Sequence, residues 1–282
     1  MASDRTLFFV FGMPKSGTTW LQMLLDAHPE IVCRPEDQFG YFVKSFERLL
    51  TGYNKLLQDV SERTSGASPA FFDRRDGALM LRNIVRIALA KGFRQEGVRA
   101  SGVKDNGITD RISLFLDLFP QGRFVYLLRD PRDVAVSSWF HNQRVGTDMS
   151  RRAADLSAWS RLIAASWASA TETVAEAAKR RGEILHTVRY EDLAGKRGRA
   201  AVAGILEHLG VQSGPDMAQS LLDATRFETL SGGRKRGKED RASFWRKGEA
   251  GDWRNHLGDQ AVMGVAEAAG AVMARHGYDA GR

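Results

Sequence analysis

The chain has 282 residues, with 41 Lys plus Arg against 34 Asp plus Glu, giving a formal charge of +7. Hydrophobic residues make up 43% and charged residues 27%, the composition of a folded globular protein rather than a disordered one. A chain of this length buries roughly 75% of the surface its unfolded form exposes, so a sizeable core is available.

The amino-terminal residues Met1–Thr6 are short and polar, and the apolar run after them, Leu7–Phe11, is too brief for a signal-peptide core or a membrane span. A cytoplasmic protein is therefore expected. LFFVF (residues 7–11) predicts a buried strand and GMPKSG a turn. Trp20, Leu21, Leu24 and Leu25 then recur at helical spacing up to His28-Pro29. Strand, glycine loop and helix in that order fit the start of an α/β domain. Cys33 is the only cysteine, so neither an intrachain disulfide nor a Cys-based zinc cluster can form, which favours a reducing compartment.

Phe39–Leu57 is mixed and aromatic with a helical middle, Ser61–Pro69 reads as a loop, and Ala78–Ala90 as a helix with Arg82 and Arg86 off its apolar side. A short strand is expected within Gly97–Lys104, a helix over Ile112–Phe119 and a turn at Pro120-Gln121-Gly122. FVYLL (124–128) predicts the second parallel strand, and Pro131 fits the first turn of a helix running towards His141. The longest helix is expected over 156–177, where Leu156, Trp159, Ile163, Trp167, Ala170, Val174 and Ala177 form an apolar stripe. Further on come a strand at Glu183–Val188, a helix at Ala200–Leu209 ended by Gly210, and a mobile segment in GGRKRGKED. A last helix over Ala261–Arg275 is followed by Gly277. No internal repeat or linker divides the chain, which reads as one domain.

Two windows carry the excess charge. Arg123–Arg152 holds six Arg and three Asp; Ser231–Arg254 holds eight basic and four acidic residues. Together they account for the whole +7, which favours one focused anionic site over a broad nucleic-acid surface.

Gly12-Met13-Pro14-Lys15-Ser16-Gly17-Thr18-Thr19 is the sharpest local feature. Its glycines let N–H groups converge on an anion at the start of a helix, Lys15 adds a point charge and the threonines add hydroxyl donors. A Walker A loop would place Lys where Thr18 stands. A kinase would also need a carboxylate for magnesium after a later strand, yet strand 124–128 delivers Arg129 before Asp130. Arg129 there suits direct neutralisation of a phosphate, while Asp130 is left either to bind metal or to cap the next helix.

Three separated segments resemble the sulfotransferase family that uses 3′-phosphoadenosine-5′-phosphosulfate (PAPS): PKSGTTWL (14–21), RFVYLLRDPRDVAVSSW (123–139) and FWRKGEAGDWRNHL (244–257), with VRYEDL (188–193) between them in order. The resemblance implies a three-layer, P-loop-like α/β fold with a central mainly parallel sheet flanked by helices, forming a single domain over 1–282. It also implies a donor site. Lys15, Ser16, Gly17, Thr18 and Thr19 would grip the 5′ end of PAPS, Trp20 would pack beside adenine, and Arg129 with Ser137 would contact the 3′-phosphate. Arg246, Lys247 and Gly248 would close over that phosphate, with Tyr190, Thr225 and Phe227 on the nucleotide side. The product would be 3′-phosphoadenosine-5′-phosphate (PAP), and the scheme requires no metal.

Many small-molecule members place a catalytic histidine in a K-T-H segment, whereas this chain has Lys104-Asp105-Asn106, and Asn106 cannot act as a base. A branch resembling carbohydrate sulfotransferases uses a glutamate after the first helix, which here is Glu36, with Asp37 its nearest competitor. His28 and His141 are weaker base candidates. Lys15 and Lys104 would offset charge at the transferring group. The expected acceptor is a hydroxyl, less readily an amine, of a glycan, lipid headgroup or small metabolite. Acceptor-side elements are expected in 38–95 and 140–160, with Phe39, Tyr41 and Phe42 either stacking on a sugar or filling the core. A lid is expected near 231–250, and a homodimer is compatible with all of this. The competing readings are a P-loop kinase or nucleotide hydrolase, and a nucleic-acid binding module.

Overall fold

The computed structural model describes residues 5–64, 71–149 and 151–279. In chain order the elements are β1 (Thr6–Gly12), α1 (Thr18–Asp26), β2 (Ile31–Arg34), α2 (Phe39–Arg63), α3 (Arg74–Ala90), β3 (Ala100–Lys104), α4 (Ile112–Leu118), β4 (Arg123–Leu128) and α5 (Pro131–Arg144). They continue with α6 (Leu156–Arg181), β5 (Leu185–Arg189), α7 (Tyr190–Ala194), α8 (Gly198–Leu209), α9 (Pro215–Ala224), α10 (Phe227–Leu230) and α11 (Asp259–Arg275).

The five strands form one parallel sheet in the order β2-β3-β1-β4-β5. A parallel sheet hides both faces, and the run LFFVF supplies both. Phe9 and Phe11 join Val103, Phe124 and Tyr126 against α3, α4, α6 and α11. Phe8 and Val10 join Val125 and Leu127 against α1, α8 and α9. This is the three-layer α/β arrangement expected, and the aromatic packing is dense: the Phe9 and Phe124 rings stack at 4.9 Å.

Most predicted elements lie where the patterns placed them, and the differences are local. α2 is one continuous helix to Arg63, not helical only in its middle, because it leans along α3 with Phe46 and Leu50 near Gly77. The loop expected over Ser61–Pro69 begins later, and its residues 65–69 lie outside the described residues. The fifth strand starts at Leu185, behind a 3-10 turn over Gly182–Ile184. β2 has no counterpart in the sequence reading. Its four residues IVCR are too few for alternation to register, and only pairing with β3 marks them as a strand.

Sheet order places β1 between β3 and β4, so the connections leave it in opposite directions and open a crevice at the carboxyl ends of the strands. Gly12 ends β1 at that crevice. A Cβ there would lie 2.5 Å from the Leu127 carbonyl oxygen of β4, a backbone atom that cannot rotate away. Gly12→Ala is expected to lower unfolding stability by about 1–3 kcal/mol in urea titrations. An unchanged midpoint would show that the strand ends can spread without cost.

Candidate functional site

The donor-site residues expected from the sequence, together with Glu36 and Lys104, all line one cavity of about 580 Å³, Ser16 excepted. The cavity lies at the crevice: Lys15 follows β1, Glu36 follows β2, Lys104 closes β3, Arg129 follows β4 and Tyr190 follows β5. Thr225, Phe227 and the run Arg246–Gly248 reach it from the C-terminal third of the chain.

The loop after β1 is held in a conformation that glycine-free sequence avoids. Gly17 has φ 97° and Lys15, a residue with a Cβ, has φ 77°. Such a backbone persists only where its surroundings over-determine it, and it concentrates at functional sites. The Ser16 amide closes a turn onto the Met13 carbonyl at 3.0 Å, while no side chain caps the start of α1. Its leading N–H groups are thus available to an anion. Ser16 is 1% exposed and its Oγ has no hydrogen-bond partner. The Tyr190 ring lies over Gly17 so closely that a Cβ would come within 2.6 Å of it.

Arg129 ties three parts of the chain together. Its guanidinium donates to the Lys15 carbonyl at 3.1 Å and the Glu249 carbonyl at 3.0 Å, and sits 4.3 Å from the Tyr190 ring centroid. Its Nε has no partner. Asp133, one helical turn on, lies 3.7 Å away and accepts the Gly251 and Trp253 amides at 2.6 and 3.0 Å. Burial raises the Asp133 carboxyl despite the Arg129 charge beside it. Asp130, which the sequence left open between metal ligand and cap, accepts the Arg132 amide at the start of α5 and pairs with the Arg132 guanidinium at 2.7 Å. That leaves the strand end without a free carboxylate of the kind a magnesium-dependent kinase needs.

Arg246 and Lys247 line the cavity but lean on carboxylates. Asp252 accepts from Arg246 at 2.5 Å, Lys247 at 2.6 Å and Asn255 at 2.9 Å, and Arg246 also pairs with Glu239. Burial pushes the Asp252 carboxyl up, yet the Lys247, Asn255 and Arg246 hydrogen bonds outweigh it and hold the group far below the usual carboxylate range. Among the described residues Glu239, Asp252 and His256 form a cluster of metal-capable side chains, but Arg246 bridges its two carboxylates, so it is an ion-pair network.

Glu36 pairs with Lys104 at 3.1 Å and accepts the Asn106 amide at 3.3 Å. The competing bases are accounted for elsewhere. Asp37 pairs with Arg34 at 2.7 Å. His28 lies outside the cavity, its Nδ1 accepting the Glu30 amide and its Nε2 facing the Gln212 carbonyl. His141 does line the cavity, and burial, Lys15 and Arg144 lower its pKa. Phe39 is buried in the core, Phe42 packs against it, and Tyr41 is exposed; none of the three lines the cavity. Within 140–160 only His141 does so among the described residues, and within 38–95 no residue does.

The sequence reading missed the wall made by Ala194–Lys196 and Arg199, and the contribution of Arg236 and Phe244. The first had a readable signal, the run Gly195-Lys196-Arg197-Gly198-Arg199 directly after VRYEDL. Phe244 opens the late segment FWRKGEAGDWRNHL, but its place was not readable, because its ring reaches Lys15 (4.9 Å from Nζ to the centroid) across more than two hundred residues of chain.

The model of the sulfotransferase family, Sulfotransfer_3, matches residues 8–215. Protein-tyrosine sulfotransferase 1 of Danio rerio is 24% identical over 161 residues, 57% of this chain and 43% of that protein. The Homo sapiens protein of the same name is 26% identical over 161 residues, again 57% of this chain, and 41% of its own length. The chain thus spans well under half the length of the curated relatives it matches. Among solved structures, a mouse sulfotransferase complexed with PAP superposes with a TM-score of 0.57 at 18% identity, over 95% of this chain and 83% of that one. A Mycobacterium avium sulfotransferase superposes with a TM-score of 0.52 at 15% identity, over 100% and 79%. These superpositions show a shared fold.

Lys15 supplies a test of the site that needs no ligand. Burial, then the charges of Arg144, Arg129, Lys104 and Arg246, lower its pKa to about 8. A lysine lowered by folding opposes the folded state below that pH, and the opposition fades as pH rises from 8 towards its unfolded value. Lys15→Met should therefore stabilise the protein at pH 7 by about 1–3 kcal/mol, with the gain shrinking steadily above pH 8 in denaturant titrations. A gain independent of pH would show that Lys15 carries no such penalty.

Proposed function

Because the chain belongs to the sulfotransferase family, we propose that it moves a sulfuryl group from PAPS to an acceptor hydroxyl by direct in-line transfer. One observation carries this reading: an anion loop, Arg129 and the Glu36–Lys104 pair converge on a single cavity. Arg129 Nε, of a residue in the cavity wall, and Ser16 Oγ, in the loop beside it, are buried without a hydrogen-bond partner, which fits a ligand with separated anionic groups.

Bound there, PAPS supplies a sulfuryl group activated by its 5′-phosphate. In this scheme Lys15, Ser16, Gly17, Thr18 and Thr19 hold the 5′ end, and Arg129 with Ser137 holds the 3′-phosphate. Arg246, Lys247 and Gly248 complete that grip from the segment near 231–250, which acts as the lid. Its backbone closes on itself through Gly237 to Lys247 at 3.0 Å and Asp240 to Arg246 at 2.9 Å, and Arg236 donates to the Gly248 carbonyl at 2.8 Å. Trp20, whose Nε1 donates to the Thr225 carbonyl at 3.0 Å, forms the adenine wall with Tyr190, Thr225 and Phe227.

Glu36 takes the acceptor proton, oriented by Lys104 and the Asn106 amide. Lys15 offsets charge on the leaving oxygen; a bound anion favours its protonated form, opposing the burial that lowers its pKa. These are effects of position and preorganised charge. The acceptor is a hydroxyl of a glycan, lipid headgroup or small metabolite. The curated relatives, named as protein-tyrosine sulfotransferases, favour a tyrosine phenol as the second reading.

Glu36→Gln should lower turnover by about 10²–10⁴-fold in a mass-detected sulfation screen containing both sugars and tyrosine peptides, while calorimetric PAP binding stays unchanged. Turnover near wild type would remove Glu36 from the role of base. Arg129→Ala should weaken PAP binding by at least about tenfold, as loss of a charge-assisted phosphate contact requires. Undiminished binding would place the 3′-phosphate elsewhere.

A further inference from the structure

The α2–α3 pair carries a surface that the donor site does not use. On α2, Leu49, Tyr53, Leu56 and Val60 recur at spacings of four, three and four, which puts them on one helical stripe. All four are exposed, Leu49 at 69% and Leu56 at 54%. Just before α3, Phe72 stacks on Tyr53 at 5.7 Å, and Phe71 is exposed beside it. On α3, Leu79 is 53% and Ile87 63% exposed, and Ile84 is exposed as well.

The charge along α3 and just beyond it is one-sided. Between Arg74 and Arg94 the sequence holds Arg74, Arg75, Arg82, Arg86, Lys91 and Arg94 against Asp76 alone. All six cations are exposed. Among the described residues, Arg82, Arg86, Lys91 and Arg94 have neither a side-chain hydrogen bond nor an ion pair. Surface cations elsewhere do pair, as in Arg275–Glu172 at 2.7 Å, Arg161–Glu267 at 3.3 Å and Arg111–Glu47 at 3.3 Å. Of the acids nearby, Glu47 pairs with Arg111, Asp73 and Asp76 form the box that caps α3, and neither Asp59 nor Glu62 of α2 forms an ion pair with these cations among the described residues.

We propose that the α2–α3 pair docks on an anionic lipid surface, with Phe71, Phe72, Leu79, Ile84 and Ile87 entering the headgroup boundary and the α3 cations facing lipid phosphates. Exposed apolar side chains interleaved with unpaired Arg and Lys are what interfacial helices present to such a surface. A second copy of this chain would bring the same row of positive charge against itself, so a lipid surface complements the pair better. No helix among the described residues is long and apolar enough to cross a membrane, so the contact is peripheral.

The test is sedimentation of the whole protein with vesicles of equal parts phosphatidylcholine and phosphatidylserine, beside vesicles of phosphatidylcholine alone. Binding is expected to the first and not the second, and to fall as sodium chloride is raised. Arg82→Glu with Arg86→Glu should weaken it by at least about tenfold, while Arg161→Glu, on the distant α6, should not. Ile87→Ser with Leu79→Ser should weaken it at unchanged charge. All these positions are exposed, and matching thermal melts would show that the variants fold. Equal binding to both vesicle types, no binding to either, or binding indifferent to the α3 reversals would overturn the proposal. A concentration-dependent dimer abolished by Leu56→Asp, without vesicle binding, would assign the face to a second copy instead.

Discussion

Confining Lys15, Lys104, Arg129 and Arg246 around one cavity is the constraint on which the rest of the site depends. Like charges held this close, and out of water, oppose folding unless each meets an acceptor. The lowered pKa of Lys15 registers that opposition directly. The remedy differs for each cation. Lys104 meets Glu36, Arg129 meets two backbone carbonyls, and Arg246 meets Asp252 and Glu239. Among the described residues, Lys15 has a ring face, that of Phe244, and no carboxylate. That lysine is the one the proposed anionic donor would meet.

The same interactions join the late segment to the sheet. Asp133 leaves β4 on the first turn of α5 and accepts two amides of the loop that carries Arg246 and Lys247, while Arg129 holds the Glu249 carbonyl of that loop. The proposed phosphate contact of Arg129 and the placement of the loop therefore share a single buried Arg–Asp couple. The cost of burying Asp133 is offset by three partners rather than one. Because two of those partners are amides of that loop, it cannot shift without leaving a buried charge less well met.

Legibility followed the range of the physics. The glycine loop, the flanking strand and helix, and the apolar stripe of α6 are patterns within twenty or so residues, and each was readable. β2 was not, since four residues of strand carry no period. The fate of Asp130 was open in the sequence because capping and metal binding use the same carboxylate; Arg132 two residues on decides it. Charge arithmetic by window found the two basic regions that meet at the cavity. It also hid α3, whose excess of cations is cancelled in the total by acids elsewhere in the chain.

What the sequence by itself determined was local: a glycine loop at a helix start, an arginine at a strand end, an asparagine that cannot serve as a base after Lys104-Asp105, and two alternating faces for one parallel sheet. Residue types and short spacings suffice for these. Only the tertiary structure decided which charge answers which. Arg129 and Lys15 are 114 residues apart, Gly251 and Asp133 118, and Asn106 and Glu36 70. Ion pairs and buried hydrogen bonds act over a few ångströms, so their partners are set by sheet order and not by distance along the chain.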